Sequence, residues 1–372
     1  MTPELKRRRV VDDDTTPTNV PNQLERIQND DDDEQFDDKR LSVYRILKYC
    51  LLNILIITII VFLFFPIIFR SSFTVQQLLI FMNYVNFGLT EPVQVGLHCT
   101  RNLKVSSDES IQLGVWHIPP DESKCTLNDD QLNQIDNLFN DERMVILYVH
   151  GIGGTRSTSH RVDLYKVLSN QMHFHVITFD YRGFADSTHI WPTSDGMTND
   201  TNAVYRWLRI NHGIPSERIV VWGHSLGTAV TVRFLSSVTE NIPKAAILEA
   251  PFTTIQDATI VFPITRLFKF LPWYEWCFFE SLAQNPKTRF NSTALLDRVR
   301  TPLLILHAKD DGIIPFNQGK QLHQIAEQIQ PTDIVRARFV SFEWDKGYGH
   351  KYIAKDPDLP SVVTNFIESV RQ

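Results

Sequence analysis

The stretch Val220-Val221-Trp222-Gly223-His224-Ser225-Leu226-Gly227-Thr228-Ala229 decides the reading of this chain. Its first half continues an apolar run over Ile219–Trp222 that predicts a buried strand. Its second half opens with small residues that predict the start of a helix. Between them Gly223, Ser225 and Gly227 satisfy G-x-S-x-G. A serine at such a strand-to-helix turn is held in a strained conformation with its hydroxyl lifted clear of the sheet. Glycine on either side leaves room for the close backbone approach. The turn also aims the N–H of Leu226 and the helix N-terminus at any oxyanion forming beside the serine. A bare match to the pattern arises by chance in long chains. The strand and helix framing it here make a nucleophilic serine the expectation, against a turn that happens to carry serine.

Working outward, 372 residues with 43% apolar and 11% aromatic side chains can build one large α/β domain with additions. The net charge of −6 is concentrated at one end, because residues 1–40 hold 12 acidic and 7 basic side chains. The nearly neutral remainder lacks the basic face that nucleic-acid binding needs, so no nucleic-acid partner is expected. Cys50, Cys99, Cys125 and Cys277 have no metal-ligand spacing, and no metal is expected. At most one disulfide can form among the last three, and free buried thiols are the expectation.

Residues 1–48 are expected to be a disordered cytosolic tail. Lys6–Arg9, Asp12–Asp14 and Asp30–Glu34 are charge runs with little apolar surface to bury. Residues 49–70 read as a transmembrane signal anchor, since Cys50–Phe69 is 20 residues without a charge. Lys39, Arg40, Arg45 and Lys48 precede it and only Arg70 follows closely, which orients the N-terminus to the cytosol and the large domain to the lumen or exterior. The sequons at Asn199 and Asn291 permit that topology. Residues 71–91 form a juxtamembrane segment. Its apolar part carries Gln76, Gln77, Asn83 and Asn86, too polar for a second span. An interfacial helix lying on the bilayer and a helix packed under the domain remain equal alternatives.

From Pro92 onward, 92–372, strands alternate with helices. Val93–Leu97 and Ile111–Ile118 read as early antiparallel strands. Buried strands follow at Met144–Val149, Val176–Phe179, Ile219–Trp222, Ala245–Leu248, Leu303–His307 and Ala337–Phe342. This order implies a mostly parallel sheet covered on both faces, with chemistry at the carboxyl ends of its strands. His150, Ser225, Asp311 and His350 all follow such strands. A serine alkoxide at neutral pH needs a base, and His350, glycine-flanked in Gly347-Tyr348-Gly349-His350, is the candidate. His224 is expected to point away from the reacting face. Asp310 and Asp311 both offer the carboxylate that orients the base, and the residues alone barely separate them. His150-Gly151-Ile152-Gly153-Gly154 lacks a phosphate-loop ending. It reads as the second half of an oxyanion hole, through the N–H of Ile152. An insertion at about 251–297 is rich in aromatics, among them Phe262, Phe268, Trp273, Trp276 and Phe278. It caps the site or adds to the core.

The order Ser…Asp…His, with Ile111–His117, His150–Arg156, Phe179–Gly183, Trp222–Thr228, Leu248–Thr253, Leu304–Phe316 and Gly347–Tyr352, resembles the α/β-hydrolase family throughout residues 92–370. Within it, the closest resemblance is to membrane-anchored lipases. The resemblance implies an α/β-hydrolase fold preceded by a single transmembrane helix, with Asp311 as the triad acid. It also implies a single-pass endoplasmic-reticulum enzyme hydrolysing lysophosphatidylserine and monoacylglycerol without a cofactor. The expected partners are a lipid substrate and the bilayer. The rival readings are an acyl-thioesterase or serine peptidase on the same triad, and a membrane-anchored binding protein without catalysis. Arg156 and Arg182 are candidate head-group contacts, against solvated surface arginines.

Overall fold

The computed structural model describes residues 23–84, 88–124, 126, 139–261 and 263–370. The chain divides into two units, Met1–Leu63 and Phe64–Gln372. In the first, a helix runs over Gln23–Ile59, so the acidic run expected to be disordered is helical from Gln23 on. Extending a formed helix by one residue adds a backbone bond at small cost, and the Gln, Leu, Glu and Arg residues here are good helix formers. A π turn at Ile60–Phe64 precedes Pro66, which has no N–H to give the helix, and Phe65–Ser71 is helical again. Among the described residues, Asp38–Ser71 is the one helical stretch long and apolar enough to cross a membrane.

The second unit is built on an eight-stranded sheet in the order β1-β2-β4-β3-β5-β6-β7-β8. The strands are β1 (Arg101–Asp108), β2 (Ile111–Ile118), β3 (Val145–Val149), β4 (His175–Phe179), β5 (Ile219–His224), β6 (Ala245–Glu249), β7 (Leu303–Ala308) and β8 (Arg338–Phe342). The β1–β2 and β2–β4 pairs are antiparallel and the rest parallel. β3 through β7 are buried at every position, which both-face coverage requires and which explains their unbroken apolar runs. Ile146, Tyr148 and Trp222 share one core with the helices Ser159–Asn170 and Leu359–Ser369.

Two expectations need correction here. Val93–Leu97 is not a strand, for Pro92–Val95 is a 3-10 turn closed by Gly96 at φ +74°. The edge strand is Arg101–Asp108, whose burial alternates along its length but whose inward positions are Arg101, Leu103, Val105 and Ser107, so the apolar alternation in the sequence spans only two residues. Nor are all the thiols free. Cys99 is disulfide-bonded, while Cys277 is a buried free thiol and Cys50 an exposed one; Cys125 lies outside the described residues.

The compact unit begins at Phe64 rather than Pro92, because the juxtamembrane helix Phe73–Phe81 packs into it. Gln76 and Gln77, the residues too polar for a span, are fully buried and satisfied. Gln76 donates to the Phe69 carbonyl (2.9 Å) and accepts from Asn285 (2.7 Å), and Gln77 donates to the Pro192 carbonyl (3.0 Å). Packing under the domain is therefore the alternative observed. The aromatic insertion lies against the same region, with the Phe278 ring 4.9 Å from Phe69 and Phe268 5.4 Å from Phe65. Its outer face exposes Leu267, Phe270 and Trp276. Phe262 lies outside the described residues.

Two core positions generate predictions. The helix Leu226–Leu235 crosses β3 so closely that a Cβ on Gly227 would sit 2.0 Å from the Val149 carbonyl oxygen. Gly227→Ala is expected to destabilise the domain by at least about 3 kcal/mol, read by denaturant melts in detergent. β6 ends in Glu249, whose Oε2 accepts the Trp222 indole N–H at 2.9 Å. Burial pushes its carboxyl up to about 7; the Trp222 bond opposes this only in part, and nearby Asp311 adds to it. Because the folded state keeps this proton while the unfolded chain releases it near 4.5, stability falls as pH rises from about 4.5 to about 7. Glu249→Gln does not titrate. It should gain on the wild type by on the order of 3 kcal/mol across that window. Parallel melting curves for the two proteins would refute the shift.

Candidate active site

The turn after β5 holds Ser225 at φ 53°, ψ −121°, a conformation that L-residues rarely adopt. Its N–H donates to the Glu249 carbonyl at 2.9 Å, and its own carbonyl accepts from the Thr228 N–H (2.9 Å) and hydroxyl (2.6 Å). Glycine at 223 is a steric requirement, since a Cβ there would lie 2.6 Å from the Gly227 carbonyl oxygen.

His350 and Asp311, 39 residues apart in the sequence, meet Ser225 in space. Ser225 Oγ donates to His350 Nε2 at 2.9 Å, and His350 Nδ1–H donates to Asp311 Oδ2 at 2.7 Å. The other Asp311 oxygen accepts the N–H groups of Ile313 (2.8 Å) and Ile314 (2.9 Å). Burial alone would raise the Asp311 carboxyl, but hydrogen bonds from His307 and His350 outweigh it and hold the group well below the usual carboxylate range. The two aspartates are thereby separated: Asp311 faces the imidazole, and Asp310 accepts the Gly349 N–H at 2.9 Å.

Residues 151–155 form the loop after β3. Gly153 and Gly154 take φ +62° and +69°. Arg161, buried on the helix Ser159–Asn170, donates to the carbonyls of Gly151 (3.2 Å), Ile152 (3.3 Å), Gly153 (2.9 Å) and Thr155 (2.6 Å). With those carbonyls turned toward Arg161, the Ile152 peptide is fixed in orientation. Ile152 and Leu226 both border the cavity at Ser225, and Leu226 is the first residue of its helix, where N–H groups have no intrahelical acceptor. That cavity has a volume of about 110 Å³ and apolar walls, which include Phe65, Phe69, Ile80, Phe252, Ile255 and Phe278. The insertion thus contributes to the wall of a cavity over Ser225.

Three expectations about charged side chains and rings are revised. Arg156 is neither solvated nor free to meet a ligand: it is fully buried, bonded to Asp180 and Asp186, and stacked 4.9 Å over Trp116. Arg182 is engaged by Asp200 at 2.6 Å. His224 does not turn away from the site. Its Nε2–H donates to the His350 carbonyl at 2.9 Å, with the two rings 5.0 Å apart. Sequence reasoning missed Arg161, His224 and His307 as supports of the site. The His307 Nε2 stands 3.0 Å from the Ile314 carbonyl and 3.3 Å from Asp311. No spacing signal marks any of the three. Asn199 is exposed on the helix Ser194–Arg206, and the Asn291 side chain accepts from the Ala294 N–H at 3.0 Å. Among the described residues, no group of three or more His, Cys, Asp or Glu side chains is disposed to hold a metal ion.

The family model described as alpha/beta hydrolase fold matches residues 144–265. The lysophosphatidylserine lipase ABHD12 of Danio rerio is 35% identical over 87% of this chain and 85% of its own length. The Mus musculus protein of that name is 36% identical over 81% and 76%, and the human protein ABHD12B is 34% identical over 72% of each. Among solved structures, an esterase from Pyrococcus furiosus shares the fold at 18% identity, with a TM-score of 0.55 over 76% of this chain and 95% of the esterase. A serine set at a glycine-flanked turn, a histidine and a carboxylate in hydrogen-bonded sequence, and identity of this extent give one conclusion: the chain belongs to the ABHD12 family of α/β-hydrolases, which are serine hydrolases.

Proposed function

We propose that this protein is a membrane-anchored lipase that cleaves acyl esters of lysophosphatidylserine and monoacylglycerol, with Ser225, His350 and Asp311 as its triad. The observation that carries the proposal is the unbroken hydrogen-bond path from Ser225 through His350 to Asp311 at the floor of an apolar cavity. The substrate named for the fish and mouse relatives supports the choice of lipid.

Ser225 Oγ attacks the ester carbonyl carbon while His350 Nε2 takes its proton. Asp311 holds Nδ1–H and stabilises the imidazolium. The carbonyl oxygen, now an oxyanion, is met by the N–H groups of Leu226 and Ile152. Collapse expels the glycerol oxygen, which leaves with the proton from His350. A water then gives a proton to His350 as it attacks the acyl-serine, and the fatty acid departs. The acyl chain lies in the apolar cavity. Leu267, Phe270 and Trp276, exposed on the insertion, are the apolar surface that would meet the bilayer from which such lipids come.

The same proposal includes the lumen of the endoplasmic reticulum as the location of the domain. The cations preceding the span support that topology. So does the disulfide at Cys99, a bond that persists in oxidising compartments. The exposed sequon at Asn199 is compatible with it.

The test is labelling of detergent-solubilised protein with a fluorophosphonate, beside assays on both lipids. Ser225→Ala should lose labelling and hydrolysis together. Labelling of the wild type without lipid hydrolysis would favour the thioesterase or peptidase reading, and no labelling of folded protein would remove Ser225 as nucleophile. The aspartates give a second prediction. Asp311→Asn should lower kcat by about 10⁴-fold. Asp310→Asn keeps an acceptor for Gly349 and should cost about tenfold or less. Equal losses would undo the division of labour between them.

A further inference from the structure

Two cavities open on Ser225. The second has a volume of about 560 Å³ and a mixed wall, with Met82, Leu89 and Ile313 beside Ser157, Thr158 and ionisable side chains. No aspartate or glutamate lines it, whereas His160, Arg161, His224, His350 and Lys351 all do. Among the described residues, the Arg161 guanidinium is met only by backbone carbonyls. No carboxylate lies within ion-pair distance of Lys351 there, and its side chain is exposed. His160 is 8% exposed and His224 3%, yet among the described residues His160 Nε2 and His224 Nδ1, the latter an acceptor, have no hydrogen-bond partner. Unpaired nitrogens this deeply buried cost free energy unless something meets them. Burial first, then the charges of Arg161, Lys351 and His350, press the His160 ring down to about 3, which leaves it neutral with one N–H to donate. The helix Ser159–Asn170 begins in the same wall and adds its dipole.

Ser225 stands where the chambers join, so an ester seated there has its acyl chain on the apolar side and its alcohol on the polar side. We propose that this chamber binds the phosphodiester of a lysophospholipid head group through His160 and Lys351, with the charge of Arg161 behind them, and so sets the preference for an anionic lysophospholipid over a monoacylglycerol. This rests on the reading of Ser225 as the nucleophile of a glycerol-lipid lipase. A phosphodiester supplies acceptor oxygens for His160 Nε2 and the Lys351 ammonium, while Arg161, held by the loop carbonyls, adds its buried charge.

The experiment measures kcat/KM on lysophosphatidylserine and on a monoacylglycerol of the same acyl chain, for the full chain in mixed micelles. Lys351→Ala and His160→Gln should each lower the ratio of the two values about tenfold. Lys355→Ala removes a lysine that lies over Tyr352, outside the chamber, and should leave the ratio where it is. The rate of fluorophosphonate labelling, which needs no head group, separates a lost fold from a lost contact. A ratio unmoved in both chamber variants at intact labelling overturns the proposal while the lipase reading stands. A wild type that hydrolyses neither lipid overturns both. Inorganic phosphate that alters monoacylglycerol turnover, with the ratio unmoved in both variants, would make the chamber a site for a free anion and overturn the head-group assignment.

Discussion

The conformation of Ser225 is the constraint on which the rest of the site depends. A residue at φ 53°, ψ −121° carries strain of about 1–3 kcal/mol and persists only where its surroundings enforce it. The enforcement is covalent and steric at once. β5 delivers the chain along the middle of the sheet, Glu249 on β6 takes the Ser225 N–H, and the following helix is pressed against β3 at a distance that only glycine tolerates. Relaxing the turn would lower Oγ into the sheet and carry Leu226 away from the cavity. The strain is therefore sustained by the packing of three strands and a helix.

The loop that carries His350 is held in a complementary way. Asp310 takes the Gly349 N–H, His224 donates to the His350 carbonyl, and Asp311 takes the ring itself. Backbone and side chain are thus fixed by groups from two other strand ends, β5 and β7. A ring so placed needs little rearrangement when charge develops on it, which is the sense in which preorganised polar groups lower a barrier. Arg161 does the equivalent for the 151–155 loop by gathering four of its carbonyls, leaving the N–H edge of the Ile152 peptide to be oriented by default.

Much of this was legible in the residues, and the pattern of what was not is physical. The parallel strands announced themselves as unbroken apolar runs, because burial on both faces leaves no polar position. The glycine-flanked serine was legible because backbone sterics restrict the residue type. Arg101–Asp108 was not, because only Leu103 and Val105 among its inward-facing positions are apolar, too short an alternation to read. Asp310 and Asp311 are adjacent and chemically alike, and only the direction each side chain takes at the end of β7 tells them apart. Arg156 looked like a surface cation because nothing local reveals that Asp180 and Asp186 will enclose it. Cys99 shows the same limit for covalent pairing, since spacing along the chain does not say which sulfurs meet. Gln76 and Gln77 were correctly seen as too polar for a span. Their actual role, satisfied inside the domain, depends on carbonyls more than 100 residues away for one of them.

That burial has a consequence for modularity. Phe65 and Phe69, at the end of the apolar helix, and Ile80, just after the Ser72 turn, are walls of the cavity at Ser225. Arg70 lies 3.8 Å over the Trp276 ring. These residues belong to the same compact unit as the hydrolase, which begins at Phe64. The boundary drawn by composition at Pro92 is consequently not a place where the protein can be divided. A chain trimmed there would open its acyl compartment to water and bare Phe278 and its neighbours, at a cost of about 1.5–3 kcal/mol for each large side chain uncovered. The segment from Phe64 to Phe81 is part of the enzyme's interior, and its sequence answers to the cavity at Ser225 that it walls.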